Sequence, residues 1–192
     1  GNITLKHPLH VTATGACLHG TLRLLGGHLF SEVSAGLVHG LHIRHFDNEA
    51  VVADAGDWTL RDVMITSLRR TRASTSITVR NAASLVMEDC SVKDCNTGAC
   101  IARPTASLHF KRCLISSVRE AIVSQRGGTL VVEETTFEKV KLALKLDEKV
   151  VGRAVGNVLD GSLYGQFLRP PGFLSSGNKN DAGGEVSSDD ES

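Results

Sequence analysis

A chain of 192 residues with 21 basic and 21 acidic side chains carries no net field that would recruit nucleic acid or anionic lipid. Aromatic residues make up 4 %, too few to stack bases or sugar rings along a surface. No run of about 18 apolar residues is present to span a bilayer, so neither nucleic acid nor membrane is the expected partner.

In chain order, Gly1 opens a strand-like stretch without a Met, which predicts a piece of a longer protein. Ile3-Leu5 with Leu9-Val11, and Ala16-Leu18 with Leu22-Leu24, predict two loose coils, the second broken at Gly26-Gly27 before Leu29-Phe30. His19-Gly20 and His39-Gly40 stand 20 residues apart, which predicts one turn on successive coils. From Val38 to Val140 an apolar pattern at +0, +3, +5 and +8 recurs five times. Its copies are Val38-Leu41-Ile43-Phe46, Leu60-Val63-Ile65-Leu68, Met87-Cys90-Val92-Cys95, Phe110-Cys113-Ile115-Val118 and Val132-Thr135-Phe137-Val140. Their starts lie 22, 27, 23 and 22 residues apart. Alternation within each copy reads as strand. Second apolar pairs follow at Ala50-Val52, Ile77-Val79, Ala99-Ile101, Ala121-Val123 and around Ala143. A coil this short buries its inward face only by stacking on its neighbours. Parallel crossovers of this kind are right-handed in nearly all cases. The prediction is an all-β, right-handed parallel β-helix of seven to eight coils over residues 1–160. Residues 161–174, apolar and broken by Pro170-Pro171, are expected to cap its last coil, and 175–192 to form a disordered acidic tail.

Several residue groups carry possible chemistry. The coil from Leu60 is five residues longer than its neighbours, and the excess falls at Arg69, Arg70 and Arg72, a basic loop suited to an anionic partner. His39, His42 and His45 have a spacing of three, but strand alternation turns His42 outward and leaves the other two at bends. Surface histidines, rather than a metal site, are expected. Arg61, Glu88, Lys111 and Glu133 should form one outward column and Asp62, Asp89, Arg112 and Glu134 the next, with cross-coil ion pairs. Asp54, Asp57, Asp47 and Glu49 are the nearest candidates for an acid pair, at turns where acids also serve the backbone. Ser187 and Ser188 each precede an acid by three residues, the pattern of an acid-directed serine kinase. The five cysteines are an odd count without a C-x-x-C pair, and Cys90 and Cys113 share a core column. Buried thiols favour a reducing, intracellular compartment, cytoplasm or nucleus. No cofactor or metal is expected.

With these columns and turns such as Asn48-Glu49-Ala50-Val51-Val52 and Asn96-Thr97-Gly98-Ala99-Cys100-Ile101, the chain resembles the right-handed β-helix repeat, or pectin-lyase-like, family. It looks most like the branch in F-box proteins and Shc-binding spindle and midbody proteins, where the helix is implied to recognise partners or substrates. Arg103-Pro104, Lys111-Arg112-Cys113 and Ser187 to Ser192 are also similar to the large adenoviral early-region transforming proteins. The expected function is a non-catalytic protein-interaction module. The alternative is a carbohydrate-active enzyme on the same fold, a lyase or a glycoside hydrolase. The family's Asn-Thr-Asp, Asp-Asp and Gly-His-Gly motifs are absent.

Overall fold

The computed structural model describes residues 1–7, 9–26, 35–46, 49–68, 74–160, 167–168, 170 and 173–180. Among them are strands and turns but no helix. The strands form three parallel sheets of eight strands each, and every coil contributes one strand to each sheet in turn. Sheet A holds Ile3–Leu5, Leu22–Leu24, Val51–Ala53, Thr75–Val79, Thr97–Ile101, Glu120–Ser124, Leu142–Lys145 and Phe167–Leu168. Sheet B holds His10–Thr12, Ala35–His39, Asp57–Arg61, Ser84–Glu88, Ser107–Lys111, Gly128–Glu133, Val150–Val155 and Leu174–Ser176. Sheet C holds Cys17–His19, His42–His45, Met64–Ser67, Ser91–Lys93, Leu114–Ser116, Thr136–Glu138, Val158–Asp160 and Lys179–Asn180. The chain is therefore a parallel β-solenoid. Seven inter-strand steps of about 4.8 Å give a stack of roughly 34 Å.

The inward columns follow the spacing read from the sequence. Val38, Leu60, Met87, Phe110 and Val132 stack in sheet B, and Ile43, Ile65, Val92, Ile115 and Phe137 in sheet C. All ten are buried, and burial of each side chain contributes roughly 1.5–3 kcal/mol relative to exposure. The largest, Trp58, lies against Gly36 of the preceding coil, where an added Cβ would fall 2.2 Å from the indole. A residue without a side chain is the local requirement for that indole.

Four expectations are corrected. In sheet A the inward positions of the third coil are Val51 and Ala53, not Ala50 and Val52, and those of the sixth are Ile122 and Ser124, not Ala121 and Val123. Ala50 to Ala53 are all buried, so no polar residue marks the outer face and the alternation is invisible in sequence. Phe46 and Leu68 are exposed, and His45 and Ser67 occupy the interior instead. In those two coils the sheet C strand runs one residue further, which keeps strand alternation through the seventh position. In the next three coils that position is Asp94, Ser117 or Lys139 with φ of 62°, 56° and 52°, and the left-handed turn swings Cys95, Val118 and Val140 inward. His19 and His39 do not share a turn: His19 pairs with Arg44 in sheet C, His39 with Arg61 in sheet B. Finally, the stack runs past Ser175. Leu174–Ser176 pairs with sheet B, Lys179–Asn180 with sheet C, and Asn178 is buried.

Candidate functional site

The corner from sheet B to sheet C is built identically in successive coils. Its first residue is left-handed in each: Gly40, Asp62, Asp89, Arg112, Glu134 and Gly156, with φ between 51° and 76°. Its amide bonds to the next coil, as in Asp89 N–H to Lys111 O at 3.1 Å and Arg112 N–H to Glu133 O at 3.0 Å. The second residue points inward, and from Cys90 onward its side chain reaches back to the preceding coil. Val63 N–H donates to Cys90 Sγ (3.4 Å), Cys113 N–H to Thr135 Oγ1 (3.4 Å), Thr135 N–H to Asn157 Oδ1 (2.9 Å) and Asn157 N–H to Asn178 Oδ1 (3.0 Å). All of these side chains but Thr135, whose hydroxyl donates to Glu133 O at 3.1 Å, also donate to the carbonyls two residues before the preceding corner. These are Cys90 to Leu60 O and Cys113 to Met87 O, both 3.3 Å, and Asn157 to Val132 O and Asn178 to Ala154 O, both 3.0 Å. The corner is thus a polar ladder inside an apolar core, satisfied at each rung.

This ladder explains the stacked thiols. A hydrogen bond shared with Cys113, added to burial, raises Cys90 well above the ordinary cysteine range, so it stays a thiol that donates to a carbonyl. Burial likewise pushes Cys100, outward on sheet A, up to about 11. All five cysteines are free thiols, and Cys17 alone of them is exposed.

Outside the ladder lie the charge columns. Arg61 Nη2 meets Glu88 at 2.6 Å, and Arg112 grips Asp89 with both carboxylate oxygens, at 2.8 and 2.9 Å. The Arg112 guanidinium holds the Asp89 carboxyl below its usual range and is itself raised. Glu133 takes Arg153 at 2.7 Å and His109 at 3.2 Å, and those hydrogen bonds, Arg153 foremost, lower its carboxyl. No ion pair joins Lys111 to Glu88 or Glu133 among the described residues, a departure from the expected alternation. Beside this corner an open groove of about 480 Å³ runs over three coils, between the Asp89–Arg112 pair and Ser91, Leu114, Thr136 and Glu138 of sheet C.

The acids singled out by sequence do not converge there. Glu49 precedes the strand Val51–Ala53 and is held by Arg80, while Asp54 and Asp57 follow that strand. Five residues of extended chain, about 16 Å, separate Glu49 from Asp54. A glycosidase needs its two carboxyls roughly 5 to 9.5 Å apart. Asp54 and Asp57 share one turn around Gly56. Asp47, Arg69, Arg70, Arg72, Ser187 and Ser188 lie outside the described residues. The three histidines diverge. His39 bonds Asp62 at 2.8 Å on the surface, and His42 faces Thr66 on sheet C. Burial, then the charges of Arg44 and His19, lower the His42 imidazole. His45, expected at the surface, is buried with Nε2 3.0 Å from Ser76 Oγ. No group of three His, Cys, Asp or Glu that could hold a metal ion occurs among the described residues.

Sheet B offers a contact face that sequence reasoning had not singled out. Leu37, Thr59, Val86, His109 and Val131 form its central outward column, half-buried, beside the charge column Arg61–Glu88–Lys111–Glu133. The signal was present as the residues lying between inward Leu85 and Met87 and their equivalents. No family model matches the chain, and no curated protein matches it.

Proposed function

We propose that the chain is a non-catalytic partner-recognition module, with the outer face of sheet B as its contact surface. The observation that supports this is the outward column in which Leu37, Val86 and Val131 alternate with Thr59 and His109, set beside a charge column in which Arg61, Glu88 and Glu133 are held by ion pairs. Apolar contact supplies affinity there, and the charge order supplies register and partner choice. The resemblance of its repeat to the pectin-lyase-like helix of F-box and Shc-binding proteins supports a protein partner. Four buried free thiols support a reducing, intracellular location. Ser187 and Ser188 remain proposed phosphorylation sites, which intact-mass analysis of protein from its own cell tests.

A photo-crosslinking residue at Val86 in the full chain, introduced in its native cell, tests the contact surface. The expected result is one defined protein adduct that Val131→Glu removes without lowering the melting temperature. No adduct at Val86, together with product release from a polysaccharide panel that Asp54→Asn or Asp57→Asn abolishes, would instead make this an enzyme.

A further inference from the structure

Sheet C presents two outward columns that the sheet B reading leaves unused. One runs Arg44, Thr66, Lys93, Ser116, Glu138 and Asp160 down consecutive coils. Its cations sit in the first half of the stack and its carboxylates in the second. None of these four charges has an ion-pair partner among the described residues, whereas Arg61, Glu88 and Glu133 of sheet B are all paired within the chain. In the neighbouring column Met64 is 44 % exposed, and Phe46, at 49 %, lies beside Arg44. Unpaired, segregated charge next to exposed apolar side chains marks an interaction surface. Ser116 is the one buried member of the charged column, whereas the outer positions Val52, Thr78 and Cys100 of sheet A are all buried.

The order of the column identifies what fits it. The stack has eight coils, with its midpoint between the strands Ser91–Lys93 and Leu114–Ser116. A half-turn of a second copy about an axis through that point, parallel to the strands, brings the two faces together with the coils in reverse order. Arg44 then faces Asp160 of the second copy and Thr66 faces Glu138. Lys93 lies over the buried Ser116, and the charge it meets is Glu138, one coil away at about 4.8 Å. The twofold axis makes each contact twice. Aligned the other way, Arg44 would meet Arg44 and Asp160 would meet Asp160. The same half-turn sets Met64 opposite Thr136, over the groove of about 480 Å³ that Ser91, Leu114 and Glu138 also line. An unbranched methionine is the apolar side chain best able to fill so irregular a space.

We propose that sheet C is the face through which two copies of this chain pair antiparallel, with Arg44 of each against Asp160 of the other. A face three residues wide, the commonest strand length in sheet C, and eight strands long measures about 10 by 34 Å. Two such faces bury on the order of 700 Å², below the range of stable complexes, so the pairing is weak and reversible. It uses a different sheet from the recognition surface, and either proposal stands or falls without the other.

Sedimentation equilibrium of the full chain over a concentration series, at low and high salt, tests it. The expected result is a reversible monomer–dimer equilibrium that salt weakens. Arg44→Glu and Asp160→Arg should each weaken dimerisation by more than about tenfold, because each sets like charges opposite one another. The double variant Arg44→Glu/Asp160→Arg should restore it, since the swapped charges again face opposite partners. Both residues are exposed, and unchanged melting temperatures would show that folding is intact. A chain monomeric throughout, single variants that dimerise as well as the parent, or a double variant no better than the singles would overturn the proposal.

Discussion

Two corners of the same coil solve the same turn differently. From sheet B to sheet C the connection is two residues in every coil after the first, which has four, for example 62–63 between Arg61 and Met64, 89–90, 112–113 and 134–135. From sheet C to sheet A it is three residues in the fourth to sixth coils, as between Lys93 and Thr97, but five between His45 and Val51 and seven between Ser67 and Thr75. The first corner closes by a left-handed residue and a buried side chain that bonds the coil before it, so an added residue would break both. The second shows no repeating ladder among the described residues, only separate bonds such as Asn96 N–H to Ser74 Oγ at 3.2 Å and Thr21 Oγ1 to Glu49 O at 2.6 Å, and its length varies while the register of the sheets is kept. A solenoid holds its register at one corner and accepts variation at another.

Breaking the stack itself should have the largest effect. Ile65→Asp or Val92→Asp puts a carboxylate into the sheet C core with no partner, a cost of more than about 4 kcal/mol. The expected outcome is loss of the cooperative thermal transition in circular dichroism. Breaking the ladder comes next. Asn157→Ala leaves Thr135 N–H and Val132 O without their side-chain partner and takes one of two donors from Asn178 Oδ1, for a loss of about 2–3 kcal/mol in urea unfolding. Deleting residues 175–192 removes Asn178 as well and should lower the melting temperature. An unchanged value would show that the last coil contributes nothing.

The variable corner allows a change in the other direction. Lys139 holds φ at 52°, and Lys139→Gly should stabilise by up to about 1 kcal/mol, read as a higher denaturation midpoint at constant slope. Smallest of all are the exposed pairs. Arg61→Ala should cost less than about 1 kcal/mol and lose even that at high salt. Glu133 has a sign of its own. Its carboxyl is lowered in the fold, so its contribution is complete above the ordinary carboxylate range and is lost as pH falls through the folded value. Glu133→Gln should therefore lower the neutral plateau slightly, by less than about 1 kcal/mol, leave stability at the acid end nearly unchanged, and so flatten the decline on acidification below about pH 4.5.

Sheets B and C could be read from sequence because each has one polar and one apolar face, so Leu60-Val63-Ile65 and its copies show their period. Sheet A could not be read everywhere, since Ala50 to Ala53 are buried on both sides and a one-residue slip leaves the pattern equally apolar. The ladder was hidden by residue type. Cys90, Cys113, Thr135, Asn157 and Asn178 share one column, but their roles depend on amides a coil away. The 21-residue spacing of the two asparagines was the available signal, masked by the polar composition after Ser175. The exposed face of sheet B follows from the register once the inward residues are known. Glu49, Asp54 and Asp57 looked like a cluster because sequence proximity ignores the strand between them.

Native-state hydrogen exchange, resolved by residue, tests the register most directly. The ladder predicts that the amides of Val63, Cys113, Thr135 and Asn157 exchange only through global unfolding, at the slowest rates in the chain. It predicts further that Asn157→Ala speeds exchange at Thr135 well beyond its effect at Val63. Rapid exchange at these corner amides in the parent chain, or an Asn157→Ala effect spread evenly over the sheets, would contradict the stacking on which every outward column depends.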